Sequence, residues 1–320
     1  MYFCSMNRSV SILLLSALFL FVSACQNNGE SATEPRDESQ EIIATTSIVA
    51  DMLQNLCPPE IEVKGLMGPG TDPHLYKPTF SDYEAIRAAD HLVLSGLHLE
   101  GKMADVMLGM KGEKHVLELA EPFIEADKIK NNDFADGHDP HYWMDIGLWK
   151  KAAAACGKTL ESWFPDHQEA ISSNTRAYIK ELEQLEEEVK QATANIPEEQ
   201  RLIITSHDAL NYYARAYGYR VRSLQGFSTA AEFGLKDVSD LVDFIIAEKV
   251  PAVFVENIVS DQALNAVVQG CKEKNWRVVI GGSLYTDALG EEGSGADSYT
   301  GMIRHNTKTI STALSANTVE

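Results

Sequence analysis

PDHQEAISSNTRAYIKELEQLEEEVKQATANI, residues 165–196, opens on a proline and runs without a glycine to the next proline at 197. Along it Ile171, Tyr178, Leu182, Leu185, Val189 and Ala192 fall on one face at helical spacing, with Glu and Lys on the others. The spacing predicts one long amphipathic helix, which Pro197 ends. The stripe is short for a coiled-coil seam and is broken by Thr175. The helix is therefore expected to pack along its own protein, and the chain to be a monomer.

Outward from this helix the pattern changes on both sides. Before it, EIIATTS (41–47) is a β-branched run followed by the helical IVADMLQNL, and IEVKGLM (61–67) is a second strand candidate. Thr79 caps a predicted helix to Ala89, HLVLSG (91–96) is extended, LEGKMADVMLGM (99–110) is helical and HVLELA (115–120) is extended again. After it come RLIITS (201–206), the helical DALNYYARAYG, YRVRSLQ (219–225), the helical KDVSDLVDFIIAEK, PAVFVEN (251–257), the helical DQALNAVVQGCKEK, WRVVIGG (276–282) and a last helix from Tyr299. Strands alternating with helices imply parallel sheets covered on both faces. A chain of 320 residues exceeds a typical single core. The expected architecture is α/β in two lobes, 41–164 and 197–320, joined by the rigid helix at 165–196.

The N-terminus carries a different signal. Arg8 precedes an apolar run at 12–22, well short of the roughly 20 residues that span a bilayer, so it reads as a secretion signal. VSAC (22–25) resembles a bacterial lipobox, which implies cleavage before Cys25 and a diacylglyceryl group on it. Residues 1–25 are then the signal with its lipidation site, and the acyl chains hold the protein on a membrane, facing outward from the cytoplasm. QNNGESATEPRDESQ (26–40) has no large aliphatic residue and reads as a disordered tether. Three cysteines remain, Cys57, Cys156 and Cys271, of which at most one pair can form a disulfide. With 27 Lys+Arg against 47 Asp+Glu the net charge is -20, which disfavours nucleic acid and suits a cationic ligand.

Of the nine histidines, His91, His98, His115, His167 and His305 sit at strand starts, turns or helix positions where an ordinary packed or solvated ring is expected. Three others differ. His74 lies in GPGTDPHLYKPTFSD, where Gly and Pro stiffen the backbone, and His141 in GHDPHYWMDIGLW, another Pro-stiffened turn feeding a helix. His207 follows the strand RLIITS and is expected to open a helix; Asp287 follows WRVVIGG in GGSLYTDALG. Ligands of open α/β sheets bind beyond the carboxyl ends of the strands. Three neutral imidazoles and a carboxylate make a first shell for Zn²⁺, and a carboxylate that turns bidentate admits Mn²⁺ as well.

DPHLYKPTFSD, DPHYWMDIGLW, TSHDAL, VFVEN and LYTDALGEEGSGADSYTGMIRHN, in that order and behind a lipobox, resemble the zinc/manganese-binding lipoproteins of ABC importers, the long-helix metal-binding family. The resemblance covers nearly everything from Glu41 onward. It implies two four-stranded parallel sheets on a rigid helix, with His74, His141, His207 and Asp287 as ligands of one transported Zn²⁺ or Mn²⁺. The implied partners are a membrane permease and its ATPase subunit. His207, where manganese-type members often carry Glu, shifts the expectation toward zinc. The long His-rich loop of many zinc-dedicated members is absent, leaving only His138 in GHD. Phe233 stands where Pro is common, which is expected to alter a loop and leave the ligands untouched.

On this reading the protein binds and releases an ion and is not an enzyme. Ligation requires neutral imidazole, so the expectation is metal release near pH ~5. A zinc hydrolase using the same histidines is the rival, but no HExxH occurs and Asp287 as fourth ligand closes the shell. A surface adhesin is a third reading, for which no residue speaks. Tyr142, Trp143 and Trp149 are expected to be core. Asp145 and Asp208 are read either as partners of imidazole N–H groups or as carboxylates at helix N-termini.

Overall fold

The computed structural model describes residues 40–130 and 137–315. The signal, Cys25 and the tether up to residue 39 lie outside the described residues.

The first half alternates strand and helix: β1 (Glu41–Ala44), α1 (Ser47–Leu56), β2 (Glu62–Gly65), α2 (Phe80–Ala88), β3 (His91–Leu94), α3 (Lys102–Leu108) and β4 (His115–Glu118). All pairings are parallel, in the order β2-β1-β3-β4. The chain passes from β1 outward to β2 and then returns to the other side of β1, so the order reverses between β1 and β3. That reversal opens a crevice at the carboxyl ends. Thr79 caps α2 through a reciprocal capping box with Asp82.

A 3-10 turn at Tyr142–Met144 leads into α4 (Ile146–Trp163), and a second at Pro165–His167 into α5 (Gln168–Ala194). At 27 residues α5 is about 40 Å long. Its buried face is Ile171, Thr175, Tyr178, Leu182, Leu185, Val189 and Thr193. Thr175 belongs to this face for a steric reason. A Cβ on Gly157 of α4 would lie 2.5 Å from Thr175 Oγ1, so the missing side chain lets Thr175 of α5 pack directly on the α4 backbone.

The second half holds β5 (Leu202–Thr205), α6 (Asn211–Tyr217), β6 (Arg220–Ser223), α7 (Leu235–Ala247), β7 (Ala252–Glu256), α8 (Gln262–Glu273), β8 (Val279–Leu284) and α9 (Tyr299–Ser315). Its four strands are parallel, but their ladders form two pairs, β5 with β6 and β7 with β8; β5 lies beside β7. The last strand also runs further than the sequence pattern suggests, through Gly281 and Gly282 to Leu284. The glycines do not stop it; they make room for α9, since a Cβ on Gly281 would lie 2.7 Å from Ala313 Cβ and one on Gly282 2.5 Å from Thr309 Cγ2.

Strand residues alternate between two covered faces. Ile42, Ala44, Val93, Ile203, Ala252 and Phe254 point into a core shared with α4, α5 and α9. Ile43, Leu92 and Leu94 enter a second cluster with α2 and α3, and Leu202, Ile204 and Val253 a third with α7 and α8. Cys57 and Cys156 belong to the shared core and Cys271 to the third cluster; all three are free thiols, and burial pushes Cys57 up to about 12. Among the described residues no helix is long and apolar enough to cross a membrane.

Candidate metal centre

Each of the four residues singled out in the sequence sits on a loop beyond a strand's carboxyl end. His74 follows β2, His141 comes after β4, His207 follows β5 by two residues, and Asp287 follows β8 by three. His207 opens no helix, since α6 starts only at Asn211. The structure nonetheless brings all four side chains together, with one donor atom from each within 4.8 Å of the others.

Two of the loops use the same three-residue device. In Asp72-Pro73-His74 and again in Asp139-Pro140-His141 the aspartate accepts the histidine's backbone N–H at 2.9 Å, turning the chain and aiming the ring. Asp139 Oδ1 also lies 2.7 Å from His141 Nδ1. A carboxylate only accepts, so the proton is on Nδ1 and Nε2 faces the cluster. On the other side Glu256, the last residue of β7, accepts Ser206 N–H and His207 N–H through Oε1, both at 2.8 Å. Its Oε2 lies 2.5 Å from His207 Nδ1. Asp287 is fixed by its neighbours: Trp143 Nε1 donates to Thr286 O at 2.8 Å, and Asn257 brackets the position from Thr286 N and Ala288 O at 3.3 and 3.2 Å.

Four of the separations match the edges of a coordination shell, and all four donor atoms lie within 4.8 Å of one another. Asp287 Oδ2 lies 3.2 Å from both His74 Nε2 and His207 Nε2, and Oδ1 lies 3.4 Å from His141 Nε2. His74 Nε2 and His141 Nε2 are 3.3 Å apart. A tetrahedron with metal–ligand bonds of about 2.0–2.1 Å has edges of about 3.3 Å. Both Asp287 oxygens face the imidazoles, so the carboxylate is oriented to bind through one or both. The ring centroids form a near-regular triangle of 5.3, 5.3 and 5.9 Å.

The charges are those a dication needs. His141, His207 and Asp287 are buried, and among the described residues both Asp287 oxygens and His207 Nε2 lack a hydrogen bond. Burial opposes the charged imidazole of His141, but the carboxylates of Asp287 and Asp139 prevail and push it up to about 9. Burial opposes charge on His207 too, and Glu256 and Asp287 raise it well above the usual histidine range. For Asp287 burial works upward, but His141 and His207 hold the carboxyl well below the usual range. Three buried polar atoms with unfilled hydrogen-bonding capacity, facing two further imidazoles, are what a divalent cation would complete.

Asp139 and Glu256 are the imidazole partners, in place of Asp145 and Asp208. Asp145 caps α4, accepting from Gly147 N and Leu148 N. Asp208 is a half-buried carboxyl pushed up by desolvation, its N–H donating to Gly226 O. His138 stands apart, 3.1 Å from Glu125. Tyr142 and Trp149 are core, the latter stacked on Tyr299 at 4.9 Å, whereas Trp143 also walls the site, its ring 5.3 Å from His141.

A family profile described as "Zinc-uptake complex component A periplasmic" matches residues 42–313. The chain is 40% identical to the manganese-binding lipoprotein MntA of Bacillus subtilis (strain 168), across 94% of this chain and 98% of that protein. It is 34% identical to the zinc-binding protein TroA of Treponema pallidum (strain Nichols), across 95% and 96%. A solved structure described as the periplasmic zinc-binding protein TroA from Treponema pallidum superposes with a TM-score of 0.83 at 35% identity, covering 86% of this chain and 98% of that one.

Proposed function

The chain belongs to the zinc-uptake complex component A family, and from that premise we propose that His74, His141, His207 and Asp287 are the ligands of one divalent transition-metal ion carried as cargo. The protein is the substrate-binding component of an ABC importer for zinc or manganese. It captures the ion outside the cytoplasm and passes it to a permease driven by a cytoplasmic ATPase. A lipid anchor at Cys25 is the reading for its attachment to the membrane, with residues 41–164 and 197–320 as the two lobes and the chain as a monomer.

The observation that carries this reading is the convergence of four residues far apart in the chain, whose donor atoms all lie within 4.8 Å of one another, with four of the separations at 3.2 to 3.4 Å. No bond is broken in the cycle. The chain supplies a preformed basket, the two aspartate-proline-histidine turns and Glu256 hold the rings, and Trp143 excludes water on one side. Four protein ligands fill a tetrahedral shell, which leaves no position for an activated water. We therefore read the chain as a carrier and not an enzyme.

Three imidazoles and one carboxylate at tetrahedral spacing suit zinc, and a bidentate Asp287 makes the five-coordinate site that manganese accepts. Zinc outbinds manganese at most such sites, so affinity alone does not name the physiological ion. Metal content of the protein purified without added metal tests the site: one ion per chain is expected, and much less in His74→Ala and Asp287→Ala. An unaltered metal content in both variants would refute the ligand assignment. Growth of a deletion strain with each metal as the limiting nutrient identifies the transported ion.

A further inference from the structure

Of the four cluster side chains only that of His74 touches solvent, 5% exposed against 0% for the other three. Exchange of an ion with the surroundings therefore runs past His74, and whatever fixes the 66–79 loop controls it. Among the described residues that loop is tied across to the second half by Gly70 N–H, which donates to Leu289 O at 3.1 Å, and by the side chain of Asp72. Asp72 Oδ1 accepts the His74 backbone N–H at 2.9 Å, and its Oδ2 accepts the hydroxyl of Thr229 at 2.6 Å.

The far end of this tie is itself anchored to another ligand. Gln225 Nε2 donates to Ala231 O at 2.8 Å, which closes the turn that carries Thr229. The same turn is bound to the His207 segment twice, by Gln225 N to Ser206 O at 2.8 Å and by Asp208 N to Gly226 O at 3.1 Å. Hydrogen bonds at Asp72, Thr229 and the 225–231 turn thus link the His74 turn to the residues on either side of His207. The buried counterpart is Asp139, whose Oδ1 holds His141 while Oδ2 reaches Asn211 at 3.3 Å. The two ties differ in position. The Asp72–Thr229 contact borders a groove of about 450 Å³, open to solvent and lined by Asp72, Leu75, Gln225, Thr229, Phe233 and Val259, so it can be broken from outside without disturbing the core.

We infer that Thr229 is a positioning residue: acting through Asp72 it fastens the His74 turn to the His207 segment and sets how long a bound ion stays. This rests on the carrier reading above. A hydrogen bond to a carboxylate is among the stronger ones, so its loss accelerates release on the order of tenfold. Ligand geometry is left alone, because Thr229 touches no ligand.

The test is the dissociation rate of Zn²⁺ from the full-length protein, followed by stopped flow against an excess of chromophoric chelator, for wild type, Thr229→Val and Thr229→Ser. Valine keeps the shape and removes the hydroxyl; serine restores the donor. The expected result is release roughly tenfold faster in Thr229→Val and near wild type in Thr229→Ser. The visible spectrum of the Co²⁺-loaded Thr229→Val protein should match wild type, which a general loosening of the fold would not allow. Equal rates in Thr229→Val and wild type would overturn the inference, as would a fast Thr229→Val that serine fails to rescue or an altered Co²⁺ spectrum. A wild-type chain that bound no zinc would instead overturn the carrier reading and this inference with it.

Discussion

Glu256 holds two backbone N–H groups with one oxygen and faces the His207 ring with the other, whereas Asp139 serves both the backbone N–H and the ring of His141 with a single oxygen. Residues that orient a ligating imidazole typically contribute 10- to 100-fold to metal affinity. Glu256→Gln and Asp139→Asn are therefore each expected to weaken zinc binding by about that factor in a chelator competition assay, with one ion still bound at saturation. An unchanged dissociation constant in both would remove them from the site. The same carboxylates move the pH dependence. An entering ion must displace the proton that His141 holds up to about pH 9. Affinity should therefore climb with pH, about tenfold per unit for each proton displaced, across the range below 9, where an ordinary histidine would have flattened near 6.5. The sign for stability is opposite. A raised pKa in the fold means that His141 stabilises the metal-free protein fully below about 6.5 and loses that contribution as pH rises through about 9. Affinity that stayed level between pH 7 and 9 would contradict the electrostatics. Three of the cluster residues were legible from loops that closely follow strands, and His141 from a Pro-stiffened turn further on, with the family motifs joining the four, whereas their orienting partners were not. Asp139 stands two residues before His141 in a motif repeated at Asp72, which was a usable signal; Glu256 lies 49 residues from His207 and gave none until the sheet folded.

At the scale of elements, α4 and α5 approach closely at Gly157 and Thr175. Gly157→Ala would drive a methyl into Thr175, and overpacking of this kind costs about 1–3 kcal/mol. A urea titration should show that loss, and Thr175→Ala introduced alongside should recover part of it, since the two positions share one space. Full additivity of the two changes would mean that the contact carries nothing. The long helix was readable because its apolar stripe persists for about six turns with a proline at either end. Two features were not. The glycines at 281 and 282 read as the end of a strand because a sequence shows the missing side chains but not the helix that needs their absence. The splitting of the second half into two ladders depends on how β5 and β7 face each other, which no strand's own composition encodes.

For the whole molecule, the largest core takes residues from both halves and from α5 between them. Unfolding is expected to be a single cooperative transition, and zinc at 100 times its dissociation constant should add about 2.7 kcal/mol to stability. Calorimetry with and without metal reads both; two separated transitions would show that the halves fold independently. Small-angle scattering should change little on metal addition, because a shared core cannot hinge widely, and a large compaction would contradict this. The buried ligands carry one more consequence. With three of the four cluster side chains sealed and only His74 touching water, ions pass in single file: the occupant must leave through the same doorway that the newcomer needs. Whichever metal arrives first holds the seat against later rivals for its full residence time, so what the importer delivers depends on the order of encounter as well as on strength of binding.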